Sequence, residues 1–424
     1  MRHWLMLMAS VALAGQSPGF EKIALVDSLD FCTHFDVETK EGTVGVIDHV
    51  LRSHPTALWW RDKGGGLMRY PSVAEGNVMS ESPFDRRRVP CEAVTGWLRM
   101  DRGVRVFPTV KAECARRKLG YGIHTTWEET HRSGWALSNW TIAHPEYWGC
   151  RPDGKPWMGC CALAHPEVRE HKLQLVNERL ALGGDTIFLD LWRRGEWSPA
   201  REYVRPSIED WTRANGCAPP KDPSDPRWLK HVSGYVHDYL RQFARRCHSK
   251  GVRFVIGLPI IDCADTDVWR LYALDWKLLA REGTFDGVAI HYVRTDWSDP
   301  WGSTRRIYEY VVANRGRADI YFPVSAYNHE HTGIPAYCQK TGLSDGEVTK
   351  RLYELAKDCG AAGVILDCVD YANYTPAMNA ALAAGVKSEN ASFTPDLGSC
   401  VSGVKSENAS FTPELSCLSR PNMR

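Results

Sequence analysis

Residues 165–192 read HPEVREHKLQLVNERLALGGDTIFLDLW. Pro166 stands where a helix accepts proline at its first position, and the stretch from His165 to Leu182 runs on as a helix until Gly183-Gly184 stops it. Asp185 to Leu191 then forms a short apolar strand that carries Asp190 at its far end. So continuous an apolar run suits a strand covered on both faces, which means a parallel sheet flanked by helices.

The same unit recurs along the chain. Strands are predicted at Lys22 to Asp27, Thr56 to Arg61, Gly120 to Thr126 and Asp185 to Leu191, then at Arg253 to Pro259, Asp286 to Tyr292, Asp319 to Ser325 and Gly363 to Cys368. Between them, Pro226 to Lys250 reads as a helix that stops at Gly251, and Ser344 to Asp358 as one with Glu347 placed for a capping box. Eight strand–helix repeats predict a single-domain (β/α)₈ TIM barrel. The competing doubly wound sheet would place a glycine-rich phosphate turn after its first strand, where this chain has Ser28-Leu-Asp-Phe-Cys-Thr-His-Phe35.

The loops after strands two, three and four are long, about 62–99, 127–164 and 192–225, and in a barrel these lie at the catalytic end. Residues 1–16 have the charged start, short apolar run and small-residue zone of a signal peptide, which predicts a secreted or periplasmic protein without a membrane span. The barrel is expected over 17–384. In the remaining 385–424, Gly385 to Pro395 is repeated almost verbatim at Gly403 to Pro413, and the composition argues for an extended or disordered tail.

Lysine and arginine number 52 against 51 aspartates and glutamates, with no long run of one sign. Nucleic acid and anionic membranes are therefore not suggested as partners. Seventeen tryptophans, several beside strand ends, are divided between core packing and platforms for sugar rings. Of the fourteen cysteines, Cys150 with Cys160 or Cys161 could staple a loop, while Cys114, Cys247, Cys359 and Cys368 read as buried thiols.

Barrel chemistry is carried at strand C-termini. Asp190 and Asp367 are each delivered there by an apolar strand, and Glu128 and Asp296 follow strands three and six. Glycoside hydrolysis needs two such carboxyl groups. Trp60, Arg61, His124, Trp127, Trp192, Arg193, His291, Tyr292, Tyr327 and Asn328 are the candidate substrate contacts. His124, His291 and His329 also suggest a metal site, but the first strand lacks an HxH pair and His329-Glu-His331 has the wrong spacing for a helical zinc site, so no metal or other cofactor is expected.

The segments His144-Pro-Glu-Tyr-Trp148, Arg151-Pro-Asp-Gly-Lys155, His165-Pro-Glu-Val-Arg169 and Gly184-Asp-Thr-Ile-Phe-Leu-Asp190-Leu-Trp-Arg193 resemble the glycoside-hydrolase-like (β/α)₈ barrels of bacteria, as does Gly122-Ile-His-Thr-Thr-Trp127. The resemblance in layout extends over roughly residues 20 to 375, and its motifs are shared by several hydrolase families. It implies that Asp190 is the leading catalytic carboxylate, a nucleophile or general base. The α-galactosidase-type members carry their acid on strand six, where this chain has His291-Tyr292 and reaches a carboxylate at Asp296. The expected function is a secreted glycoside hydrolase acting on a polysaccharide or glycan. A non-catalytic carbohydrate-binding barrel and a metal-dependent hydrolase are the alternatives.

Overall fold

The computed structural model describes residues 19–27, 35, 39–64, 67–68, 70–74, 106–127, 138–191, 197–324, 333–367 and 374–384. Eight parallel strands close into a barrel: β1 (Glu21–Val26), β2 (Ala57–Arg61), β3 (Gly120–Thr126), β4 (Thr186–Asp190), β5 (Arg253–Ile261), β6 (Gly287–Val293), β7 (Asp319–Pro323) and β8 (Gly363–Leu366). Each pairs with its sequence neighbours, and β8 closes on β1 with Ile23 opposite Ile365. All eight lie where the apolar runs placed them, with ends displaced by two residues at most.

Strand alternation sorts the side chains into two cores. Leu58, Trp60, Ile123, Ile187, Leu189, Ile256, Val288 and Phe322 take the outward positions and pack in the large core beneath the helices. The inward positions build a separate plug of Ile23, Leu25, Trp59, Phe188, Val255, Ala289, Tyr321 and Ile365. Two glycines make room in it. A Cβ at Gly122 would fall 2.3 Å from the Trp59 ring, and one at Gly257 would fall 2.7 Å from the Phe188 ring. Large side chains on two strands are thus matched by none on their neighbours.

The helices follow their sequence signals. Pro166–Ala181 starts at its proline and is followed by Gly183 at φ 75°, while Asp345–Asp358 carries the capping box between Ser344 and Glu347. The long loops hold structure of their own. Lys63–Gly64 pairs with Leu67–Met68, Trp148–Cys150 pairs with Pro156–Cys161, and Arg205–Asn215 is an added helix after β4.

At the N-terminal end of the barrel, Arg253 donates to Asp319 at 2.8 Å and to the Tyr321 hydroxyl at 2.7 Å, and that hydroxyl donates to Glu21 at 2.6 Å. This network joins β1, β5 and β7 across the closed end. Residues 1–16 and the repeated tail lie outside the described residues, as does Cys368. Among the described residues no helix is long and apolar enough to cross a membrane.

The expected cysteine staple is not formed. Cys150, Cys160 and Cys161 are thiols and not disulfide-bonded, with Cys150 directed at the Gly154 carbonyl and Cys161 at the Thr141 hydroxyl. Cys114 and Cys247 are buried thiols as expected, whereas Cys359 is only partly buried.

Candidate active site

Continuing the inward alternation one step beyond the apolar plug reaches the barrel mouth. There the residue type changes. Leu25 is followed on the same parity by Asp27, Trp59 by Arg61, Gly122 by His124, Phe188 by Asp190, Ala289 by His291 and Ile365 by Asp367. Six strands therefore contribute an ionisable side chain to one layer, and all six are buried. Phe188 forms the floor, with its ring 5.1 Å from that of His124 and 6.2 Å from that of His291.

Within this layer Asp190 is the hub. Its Oδ2 lies 3.1 Å from His124 Nε2 and its Oδ1 3.2 Å from His291 Nε2. The far nitrogen of His291 lies 3.3 Å from Asp367 Oδ2. One imidazole thus spans two carboxylates. Burial by itself would raise the pKa of Asp190, but His291 and His124 more than offset it and hold the carboxyl well below its ordinary value. Burial would lower the pKa of His291, yet the charges of Asp190 and Asp367 push it up to about 10. At neutral pH His291 is therefore held in its charged form, in contact with both Asp190 and Asp367.

Two further ion pairs brace the layer. Arg61 pairs with Asp27, and Asp62, one residue beyond β2, pairs with Arg179 of the helix Pro166–Ala181. The Asp62 amide also donates to the His124 carbonyl at 2.9 Å, which fixes the end of β2 against β3.

No protein-family profile matches the chain, and no curated protein matches it. Solved structures do. The glycoside hydrolase domain of PgaB (BpsB) from Bordetella bronchiseptica aligns with a TM-score of 0.53 at 14% identity, over 82% of this chain and 93% of that one. The fold is that of glycoside-hydrolase barrels. A beta-galactosidase from the psychrophilic Marinomonas ef1 aligns with a TM-score of 0.50 at 13% identity, over 86% of this chain, which spans 59% of that longer chain. At these identities the likeness is one of fold.

In this barrel, Asp190, Asp367, His124, His291 and Arg61 come together. Other sequence candidates do not join them. Trp60 lies on the outward parity and is buried in the helix-facing core, because neighbours on a strand face opposite ways. Tyr292 is likewise buried on the parity opposite to His291. Trp127 packs edge-on against Trp197 and Tyr239, with ring centroids 5.3 and 5.6 Å away. Asp296 is exposed, and its carboxylate turns back to accept from the Ser298 amide at 2.9 Å and hydroxyl at 2.7 Å. It serves the turn before the helix Pro300–Asn314. Glu128, Trp192, Arg193, Tyr327, Asn328 and His329 lie outside the described residues.

One buried carboxylate had no sequence signal. Glu202 accepts from the Leu163 amide at 2.8 Å, the Ala164 amide at 3.0 Å and Trp197 Nε1 at 2.8 Å, and so ties the loop after β3 to the loop after β4. Burial pushes its pKa up to about 7 against the pull of these donors. In the sequence it follows Pro-Ala-Arg on a long loop, and nothing there distinguishes it from a solvated charge.

Proposed function

We propose that the protein is a glycoside hydrolase acting on a polysaccharide or glycan at the C-terminal mouth of its barrel. Asp190 is the nucleophile or general base, and Asp367 is its carboxyl partner across His291. The observation that carries this reading is the pair of carboxylates on one imidazole in the inward layer of the mouth. Hydrolysis of a glycosidic bond needs one carboxyl ionised and a second able to give up a proton. His124 and His291 keep Asp190 ionised. Asp367 reaches Asp190 through His291 and sits just past the end of β8. Export through residues 1–16 belongs to the same proposal, since a polymeric substrate is met outside the cell.

The test is a screen of the purified chain against a glycan panel, with and without chelator. Turnover insensitive to chelator is expected, because both imidazoles turn Nε2 toward Asp190 at hydrogen-bond distance. Asp190→Asn should reduce kcat by about a thousandfold or more while leaving the circular dichroism spectrum unchanged. Unchanged turnover in that variant would end the proposal.

The burial of Asp190 favours one competing reading, a non-catalytic carbohydrate-binding barrel. That reading expects retention on a glycan without any release of reducing ends. The same panel separates the two.

A further inference from the structure

The last turn of the helix Pro166–Ala181 grips the segment that leaves β2. Arg179 donates through Nε to Asp62 Oδ2 and through Nη2 to the Met68 sulfur at 3.9 Å. One residue earlier, Glu178 accepts from the Ser72 hydroxyl at 2.7 Å and from the Ala74 amide at 2.9 Å. Asp62 and Arg179 form the buried part of this grip, with exposures of 0% and 4%.

An ion pair at this depth is a poor stabiliser. Two charges lose their hydration, and their attraction offsets the loss only where the remaining polar atoms also find partners. Among the described residues Asp62 Oδ1 has no hydrogen-bond donor, and the Met68 thioether is a weak acceptor for the guanidinium. Apolar side chains of similar volume commonly replace such a pair without loss of stability. What they cannot supply is direction, since a charge-assisted hydrogen bond sets where its partners stand.

The main chain of Asp62 bears on the barrel mouth. Its amide donates to the His124 carbonyl at 2.9 Å, and on the other side of β3 the Trp127 amide donates to the Asp190 carbonyl at 3.0 Å. The end of β3 is thus held between β2 and β4, and from it the His124 ring reaches Asp190 Oδ2 at 3.1 Å. Arg61, next to Asp62 and on the opposite parity, pairs with Asp27 in the same layer. A displaced Asp62 would therefore carry two members of the ionisable layer with it.

We propose that Asp62 and Arg179 are positioning residues of the barrel mouth: their ion pair fixes the end of β2 and, through the Asp62 amide, the place where His124 meets Asp190. The pair deepens the hydrolase reading, from which it takes only the catalytic role of Asp190.

Heteronuclear NMR of the full chain with isotope-labelled histidine tests this at neutral pH, where ring-nitrogen shifts report how each imidazole is protonated and bonded. The His124 signals are those lost in His124→Gln. The deciding variant is Asp62→Leu/Arg179→Met, which removes both charges together and leaves neither buried alone. Its denaturation midpoint should equal or exceed that of the unaltered chain. Its His124 ring nitrogens should nevertheless move several times further than those of His237, which accepts from the Asp275 amide outside this layer. Unmoved His124 signals in the folded double variant would overturn the proposal and leave the pair a purely structural one. Should that variant not fold, the neutral pair Asp62→Asn/Arg179→Gln decides: displaced His124 signals support a positioning ion pair, and an unchanged spectrum refutes it. The spectra are recorded without substrate, so a failure of the hydrolase reading leaves this result intact.

Discussion

Asp190 shows how one side chain takes its properties from the strands beside it. A lone ionised carboxylate at this depth would be driven toward its neutral form. Two imidazoles reverse that, and one of them is itself held charged by Asp367. His291, with its pKa raised, contributes stability in full below its unfolded value of about 6.5 and loses it as pH rises through about 10. Urea denaturation between these limits should therefore show falling stability in the unaltered chain and a flatter profile in His291→Gln. Parallel profiles would mean that His291 is not the charged bridge. Alternation also explains which mouth residues were legible in the sequence. Arg61, His124, Asp190 and His291 share the inward parity of their strands, whereas Trp60 and Tyr292, one position away, cannot. A rim read as a list of residue types includes both parities.

At the scale of elements, β3 and β5 yield space to β2 and β4. Gly122→Ala would drive a methyl into the Trp59 ring, and Gly257→Ala one into Phe188. Each is expected to cost about 1–3 kcal/mol in thermal denaturation, the usual range for overpacking. The long loops are held by Glu202 in a different way. Its pKa is raised, so its contribution to stability is complete below the unfolded value of about 4.3 and is lost as pH rises through about 7. Stability measured across that window should decline in the unaltered chain and not in Glu202→Gln. A decline of the same size in the variant would assign it to another group. The barrel helices and strands were legible because proline, glycine and apolar period act within a few residues of each other. The clamp between the two loops was not, because Leu163, Ala164, Trp197 and Glu202 meet only through tertiary contact.

The whole barrel divides its two ends between tasks. The N-terminal end is closed by Glu21, Arg253, Asp319 and Tyr321, and the C-terminal end gathers the ionisable layer. Tyr321→Phe should lower stability by about 1 kcal/mol through the lost hydrogen bonds and leave kcat unaltered once a substrate is known. A fall in kcat would mean that the two ends communicate. The amino-acid sequence by itself determined the eight strands, their parallel order and the end at which the ionisable side chains collect, because all three follow from local period and from the residue types that close each strand. Only the tertiary structure decided that Asp190 and Asp367 share one imidazole, that Asp296 serves a turn and that Trp59, Trp60, Trp127 and Trp197 are buried in the cores while Trp297 and Trp301 are only partly buried. Those outcomes depend on which residues of distant strands stand at the same height and parity. Closure of the barrel sets that height, and no local stretch encodes it.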